Sequence, residues 1–231
     1  MENLKREMLN LFRKYFYDPA NRGTSQVDSF SGNGVLTTFT LTKKPLMFVT
    51  SVVVNENTLK MNRDYYIDFG TGTDYGKILF VTAPTTGTNN IVITYKYGNN
   101  WIYPGTPQTD NKQLPRIGFF LVGANHKPAG ISEVAEFIDA TFRLSIWVKS
   151  GDEYTIGSYT YSGDKLLDFL YNDISQKIIN FRRDYYEPYN VITMKITGVV
   201  DIPFDEENKF NRKELSINVN YKKVYAWIGM N

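Results

Sequence analysis

Several residue types that usually carry out chemistry are scarce in this 231-residue chain. It contains no cysteine and only one histidine, His126. The absence of cysteine excludes disulfides and thiolate zinc sites, and a single histidine excludes paired-histidine metal sites and the H-E-x-x-H helix of metalloproteases. The fold must therefore be held together by burial alone, which suits assembly in a reducing cytoplasm.

Long apolar runs and a strong charge imbalance are also missing. No segment approaches the roughly 18 apolar residues that span a bilayer, and the first residues lack the apolar core and cleavage site of a secretory signal. The 26 basic and 24 acidic residues give a net charge of +2, which demands neither a nucleic acid nor an anionic membrane as partner. We therefore expect a soluble protein that is not exported and has no membrane partner.

Material for a hydrophobic core is abundant, with 42% hydrophobic and 15% aromatic residues. This composition predicts a folded chain, and its length accommodates one large or two small domains. The expected fold class is mainly β with α+β. We expect an N-terminal amphipathic helix and joint (1–24), a small β-sandwich (25–99), a linker (100–115) and an α+β domain with a helix packed on a mostly antiparallel sheet (116–231).

The first 16 residues have the pattern of an amphipathic helix, because apolar residues recur at spacings of three and four with basic residues between them. Pro19 and Gly23 then end the helix. The apolar face is expected to dock on its own domain or on a neighbouring subunit, and membrane binding is the alternative. The interface candidates on this face are Leu4, Met8, Leu11, Phe12 and Tyr15.

From about residue 27 the apolar residues alternate with a period of two. In "VLTTFTLT", Val35, Phe39 and Leu41 are expected to face one way and the threonines the other. Further short strands are predicted in "FVTSVVV", "DYYIDFG", "KILFVTA" and "NIVITYKYG", separated by turns rich in Gly, Asn and Pro. This spacing predicts a sandwich, and the aperiodic segment at 98–115 predicts a domain joint.

The C-terminal half contains both the period-two alternation of strands and the three- and four-residue spacing of a helix. A long strand is predicted to end in the alternation of Phe142, Leu144, Ile146 and Val148, and another contains Leu215, Ile217, Val219 and Tyr221. Between them lies one long helix, with Ser162 as its N-cap and an apolar stripe of Leu166, Leu170, Ile174 and Ile178. A helix packed across a sheet is the economical arrangement of these elements.

Few candidate catalytic residues emerge. His126 is expected in an exposed loop. The acidic groups are Asp64 with Asp68, Asp152 with Glu153, and Asp205 with Glu206 and Glu207. Two facing carboxylates could hydrolyse a glycoside, but these groups look like turns and solvated loops, and "GTGTDYG" (70–76) looks like a hairpin and not a phosphate loop. We therefore expect no enzyme activity, no metal and no cofactor.

Aromatic residues suggest two binding surfaces. Tyr65, Tyr66, Tyr97 and Trp101 could form a platform for a sugar or a protein partner, but packing in cores and between paired strands is the favoured interpretation. The segment "FRRDYYEPY" combines arginine and tyrosine, as buried subunit contacts do. Its interface candidates are Arg182, Arg183, Tyr185, Tyr186 and Tyr189.

Two parts of the chain resemble structural proteins of tailed bacteriophages. Residues 28–97 resemble a β module that recurs in these particles, marked by an F-x-G-x-G-x-x-T-x-F opening, an S-V-x-V-N strand, a D-Y-x-x-D element and an "ILF…AP..G…I.ITY.Y" close. Residues 116–231 are similar, in their order of strands and one helix, to tail terminator (tail-completion) and neck proteins. Such terminators are often single small domains, whereas here a helix and a β module come first.

The resemblance implies a mechanical function in the virion, after assembly in the host cytoplasm. Copies would form a ring, a hexamer in the family, on the head-proximal end of the tail tube. The ring would stop tube polymerisation and join the tube protein to the head connector, while genomic DNA passes through without specific binding. The alternatives are another connector, adaptor, baseplate or tail-fibre component, or a tail module that binds host carbohydrate.

Overall fold

The computed structural model describes residues 2–70, 74–105, 114–128, 135–184, 191–207 and 209–224. The chain divides into two compact units, Met1–Trp101 and Ile102–Asn231. Both consist mainly of strands, and each contains one helix. The expected fold class, mainly β with α+β, is confirmed.

The first unit combines a helix with two antiparallel sheets. Helix α1 spans Glu2–Tyr15. The four-stranded sheet has the order β1 (Thr24–Gly32), β7 (Gly87–Tyr97), β3 (Leu46–Val54) and β4 (Asn57–Thr58). The three-stranded sheet has the order β2 (Thr38–Thr40), β6 (Lys77–Phe80) and β5 (Tyr65–Asp68). The antiparallel β5–β6 pair shows that "GTGTDYG" connects a hairpin, as predicted.

One prediction for this unit is wrong in part, because β2 begins at Thr38 and is shorter than "VLTTFTLT" suggested. Phe39 is buried as expected, and its ring centroid lies 5.4 Å from that of Phe80. Val35 and Leu36, however, precede the strand and are 81% and 48% exposed. The Asn33 Oδ1 atom accepts hydrogen bonds from both of their N–H groups, and this Asx turn replaces the strand.

The second unit contains a five-stranded sheet, a small hairpin and one helix. The sheet has the order β13 (Val191–Asp205), β14 (Phe210–Val224), β10 (Ala135–Lys149), β9 (Arg116–Pro128) and β8 (Ile102–Pro104). The hairpin joins β11 (Glu153–Ile156) to β12 (Tyr159–Ser162), and helix α2 spans Gly163–Asp184. All pairs are antiparallel except β8–β9. Residues 102–104, expected within a linker, are therefore a strand.

Helix α2 and one face of the five-stranded sheet form the core of the second unit. The helix stripe of Leu166, Leu170, Ile174 and Ile178 is at most 1% exposed. The predicted sheet positions Phe142, Leu144, Ile146, Val148, Leu215, Ile217 and Val219 are all fully buried. Burial of one such side chain contributes roughly 1.5–3 kcal/mol. Both alternating patterns and the helical stripe are thus confirmed, and α2 contacts β10, β13 and β14.

Candidate interaction surfaces

For the apolar face of α1, the expected docking on its own domain is confirmed, and the alternative of an interface with a neighbouring subunit is largely wrong. Leu4, Met8, Leu11 and Phe12 are at most 2% exposed within the single chain, and only Tyr15 is half-buried. The helix packs against β3 of its own unit. The apolar stripe therefore belongs to the core of the first unit and offers nothing to a neighbouring subunit.

Polar residues of α1 make hydrogen bonds to the backbone of strand β3, which the sequence pattern did not predict. Strand β3 has register shifts against β7 between Leu46 and Phe48 and between Val49 and Ser51. Arg13 donates a hydrogen bond to the Met47 carbonyl (3.1 Å), and Lys14 donates one to the Thr50 carbonyl (3.0 Å). Met47 and Thr50 are the two residues left out of the β3–β7 register. The two basic side chains thus bind the backbone carbonyls at the two bulges of β3, along the edge that α1 covers.

Asn10 completes this attachment. Its Oδ1 atom accepts the Val49 N–H at 2.9 Å, and its Nδ2 atom donates to the Val49 carbonyl at 3.3 Å. The side chain thereby makes both bonds that a neighbouring strand would make to this residue. Asn10 is 2% exposed, so water cannot substitute for it.

The proposed aromatic platform does not form as a single exposed surface. Trp101 is 1% and Tyr65 is 5% exposed, so both are core residues and their assignment as sugar contacts is wrong. Burial raises the pKa of the Tyr65 hydroxyl far above its usual value. Tyr66 and Tyr97 are half-buried and belong to different sheets of the first unit.

The arginine and tyrosine cluster falls mostly outside the described residues. Arg182 and Arg183 lie in the last turn of α2, but their side chains are not described. Tyr185, Tyr186 and Tyr189 lie outside the described residues altogether. The interface assigned to this cluster stays a prediction.

The acidic residues that were considered for catalysis stabilise turns where their contacts are described. Asp64 accepts hydrogen bonds from the Arg63 guanidinium at 2.8 and 2.6 Å and from the Lys60 N–H at 2.8 Å, and these bonds, with that from Arg63 the strongest, lower its pKa. Asp68 accepts the Gly70 N–H at 3.0 Å. Burial raises the pKa of the Asp152 carboxyl, while its neighbour Glu153 is exposed.

His126 lies in strand β9 and not in a loop, because the strand continues beyond the predicted segment as far as Pro128. It is exposed, and its Nδ1 atom lies 3.1 Å from Glu136 Oε2. Within the ranges that the structure describes, no group of three or more His, Cys, Asp or Glu residues could hold a metal ion. Across the same ranges, neither helix is long and apolar enough to cross a membrane.

The opening stretch of the β module contains a buried clamp. Asp28, on β1, accepts hydrogen bonds from the Thr42 N–H, the Thr42 hydroxyl, the Tyr95 hydroxyl and the Gln26 side-chain amide. Burial alone would raise the pKa of this carboxyl, but the four hydrogen bonds together lower it. The clamp ties the segment after β2 to β1 and β7.

A cleft beside the start of α2 contains the most concentrated charge inside the second unit. Lys213, which is 8% exposed, lies 2.8 Å from Asp168 of the helix and 3.2 Å from Asp201 of β13. Desolvation would lower the pKa of Lys213, but the hydrogen bonds to Asp168 and Asp201 raise it above its usual value. These two ion pairs join α2 and β13 to β14.

Strand β13 presents the most unusual surface of the second unit. It is an edge strand of 15 residues, and it exposes four large apolar side chains. Their exposures are 42% for Ile192, 40% for Val199, 56% for Val200 and 45% for Phe204. An edge strand offers unpaired N–H and C=O groups to another chain, and apolar side chains along it favour such pairing. Sequence periodicity predicted the strand but could not show that it lies at an edge.

The opposite side of the sheet has a second unpaired segment. Strand β8 pairs only with residues 117–119 of β9, which leaves residues 120–128 at the edge. Because β13–β14, β14–β10 and β10–β9 are all antiparallel, β9 runs opposite to β13. Val122, in this segment, is 56% exposed.

No protein-family model matches the chain. No curated protein matches it either.

Proposed function

We propose that this protein is a structural component of a tailed-bacteriophage particle, a tail terminator or neck protein whose copies close into a ring. The ring would sit on the head-proximal end of the tail tube, stop its polymerisation and join it to the head connector. The observation that carries the ring is the apolar edge strand β13. The place in the virion rests on the resemblance of residues 28–97 and 116–231 to phage proteins.

The geometry of the two edges is compatible with a ring. In a ring, a rotation about the ring axis relates each copy to the next. A strand and its equivalent in the next copy therefore run in the same direction along that axis. Residues 120–128 of one copy would therefore meet β13 of the next copy in antiparallel orientation. This contact is heterologous, and it generates a ring when the rotation closes.

Features of β13 limit how far such pairing can extend. Register shifts occur between Val191 and Thr193, between Ile196 and Gly198 and between Ile202 and Asp205. Bulges and proline, here Pro203, hinder unlimited addition of strands. The regular stretch 198–202, with Val199 and Val200, remains available. A short pairing segment favours a defined assembly over an open fibril.

The carbohydrate-binding alternative has less support than the sequence suggested. Two of its four aromatic residues, Tyr65 and Trp101, are buried. The remaining two, Tyr66 and Tyr97, do not share a sheet. A sugar platform needs exposed rings side by side.

The test is assembly of the purified chain, measured by mass photometry and negative-stain microscopy. We expect rings from the wild type and monomers from the double variant Ile192→Lys, Val200→Lys, because lysine on an edge opposes pairing. The double variant Val35→Lys, Val81→Lys is the matched control, since both are exposed valines of the first unit. It should leave the rings intact.

Three outcomes would contradict the proposal. A wild type that stays monomeric at about 10 µM, a typical range for specific contacts, would refute ring formation. Two-fold dimers alone would indicate β13 pairing with its own copy. Rings that survive the double variant would show that β13 is not the contact.

A further inference from the structure

The face of the five-stranded sheet opposite α2, which we name the open face, carries more basic than acidic side chains, together with polar and apolar ones. Alternation and register place nine exposed or half-buried charged side chains on it, besides the buried Arg116. Six are basic, namely Lys127, Arg143, Lys149, Lys195, Arg212 and Lys222, and three are acidic, namely Asp139, Asp205 and Glu214. This excess of basic residues is larger than the net charge of +2 of the whole chain. The remaining surface therefore has no positive excess.

Two of the acids are already neutralised by neighbours. Asp139 accepts hydrogen bonds from Lys127 at 3.0 Å and from Asn220, and these bonds lower its pKa. Glu214 is paired with Arg212 and lies 3.8 Å from Arg143. Lys149, Lys195 and Lys222 are exposed and have no ion-pair partner within 4.0 Å in the part of the chain that the structure describes.

Uncharged hydrogen-bonding groups and apolar side chains lie between the charges. The apolar ones are Phe120, Phe137, Trp147, Val200, Ile202 and Phe210. The register places Asn125, Thr141, Thr193, Ser216, Asn218 and Asn220 on the same face. Gly123 lies among them, and a Cβ atom there would meet nothing within 4 Å. Amide and hydroxyl groups of this kind bind phosphate oxygens without reading a base sequence.

The charges extend over a long distance. Lys222 and Lys127 lie on either side of Phe137, and Lys149 lies 12 residues further along β10. At about 3.3 Å per residue this separation is roughly 40 Å. A single phosphate group or a short acidic peptide reaches only one part of such a surface, whereas a rigid duplex spans it with about one charge per 1.7 Å.

We propose that the open face binds the phosphate backbone of duplex DNA without sequence preference. The contact is electrostatic, so it weakens steeply with salt and leaves the DNA free to slide. The inference depends on the charges of the second unit and not on ring formation.

The test is a fluorescence anisotropy titration of the full chain with a labelled duplex of about 30 base pairs at several salt concentrations. We expect saturable binding with a Kd of roughly 10⁻⁶ to 10⁻⁴ M, the usual range for nonspecific contacts. The logarithm of the binding constant should fall with the logarithm of salt with a slope of about −3 to −5, for three to five phosphate contacts. A duplex of unrelated sequence should bind within about twofold, as expected for backbone contacts.

The decisive variant is Lys149→Gln, Lys195→Gln, Lys222→Gln. It should weaken binding at least about tenfold in low salt and reduce the slope by about 3, because three phosphate contacts are lost. The matched control is Lys5→Gln, Lys165→Gln, Lys177→Gln, which removes the same charge from exposed positions on α1 and α2. Unchanged circular dichroism of both variants shows that they are folded.

Several results would overturn the inference. One is the absence of binding in low-salt buffer, and another is equal weakening by the control variant. A third is displacement of the DNA by polyglutamate of matched length as effectively as by unlabelled duplex, which would show attraction to any polyanion. None of these results would bear on whether rings form.

Discussion

Replacing Asp28 would test the buried clamp of the first unit. Its Oδ2 atom accepts the Thr42 N–H at 2.8 Å and the Tyr95 hydroxyl at 2.9 Å. Neither donor can turn away, because an amide N–H is fixed and the Tyr95 oxygen itself accepts the Lys43 N–H at 3.0 Å. Asp28 is 5% exposed. Each donor that is left without an acceptor costs roughly 1–3 kcal/mol, and the lost packing costs a little more. Asp28→Ala should therefore lower the free energy of unfolding by about 3–5 kcal/mol.

Asp28→Asn is the matched variant, and it should cost only about 1 kcal/mol. The donors at Oδ1 are the Thr42 hydroxyl (2.7 Å) and the Gln26 amide (3.1 Å). Both can reverse their polarity, since a hydroxyl rotates and an amide flips. An asparagine can therefore place its oxygen toward the Thr42 N–H and its NH₂ group toward these two residues.

The pH dependence follows from the direction of the pKa shift. The pKa of Asp28 is lowered in the folded state from 3.8, so the charged form stabilises the fold. This contribution is complete above the unfolded pKa and is lost as the pH falls through the lower, folded pKa. The stability difference between the wild type and Asp28→Asn should therefore be constant above about pH 5 and shrink below about pH 4.

The assay needs a probe that reports on the first unit alone. Trp101 belongs to that unit and is 1% exposed, whereas Trp147 and Trp227 belong to the second. Urea unfolding followed by fluorescence, with Trp147 and Trp227 replaced by Phe, gives the free energy of the first unit. A loss below about 1 kcal/mol for Asp28→Ala, the worth of one ordinary hydrogen bond, would refute the clamp.

Three further predictions concern the other contacts. Asn10→Ala should destabilise the first unit by about 2–3 kcal/mol in the same urea assay, because the buried Val49 N–H loses its partner; an unchanged midpoint would refute this. Ile174→Ala, at a fully buried position of α2, should destabilise the second unit by about 2–5 kcal/mol, followed through Trp147; a loss under 1 kcal/mol would contradict the core assignment. Arg182→Glu with Arg183→Glu should disturb assembly in mass photometry without unfolding the monomer, and unchanged assembly would remove this cluster from the interface.

Periodicity predicted the parts of the fold that depend on burial. The stripe of α2 and the alternation in β10 and β14 could be identified because each buries one face on a large core. The hairpin β11–β12 was missed, since each of its strands has only four residues and none of them is buried. The true start of β2 was missed for a related reason, because an Asx turn at Asn33 outweighed the strand propensity of Val35 and Leu36.

Predictions about surfaces were less successful because burial depends on tertiary neighbours. Leu4 and Met8 form an apolar stripe whether the partner is their own sheet or another subunit, and the sequence does not distinguish the two. Trp101 lies in a segment rich in Gly, Asn and Pro and yet is a core residue. The position of β13 at an edge is a property of strand order, which no local pattern records.

The edge of strand β3 in the first unit is covered, whereas edge strand β13 in the second unit exposes apolar side chains. This difference supports an assembly surface in the second unit. Helix α1 covers the edge of β3 that faces away from β7. The side chains of Asn10, Arg13 and Lys14 make hydrogen bonds to the β3 backbone at Val49, Met47 and Thr50. Strand β13 has no such cover among the described residues and exposes four large apolar side chains. An uncovered apolar edge is an aggregation hazard unless a specific partner occupies it. The bulges and Pro203 reduce that hazard, but they leave the apolar stretch around Val200 free to pair. A strand that pairs with a single neighbour would need both features.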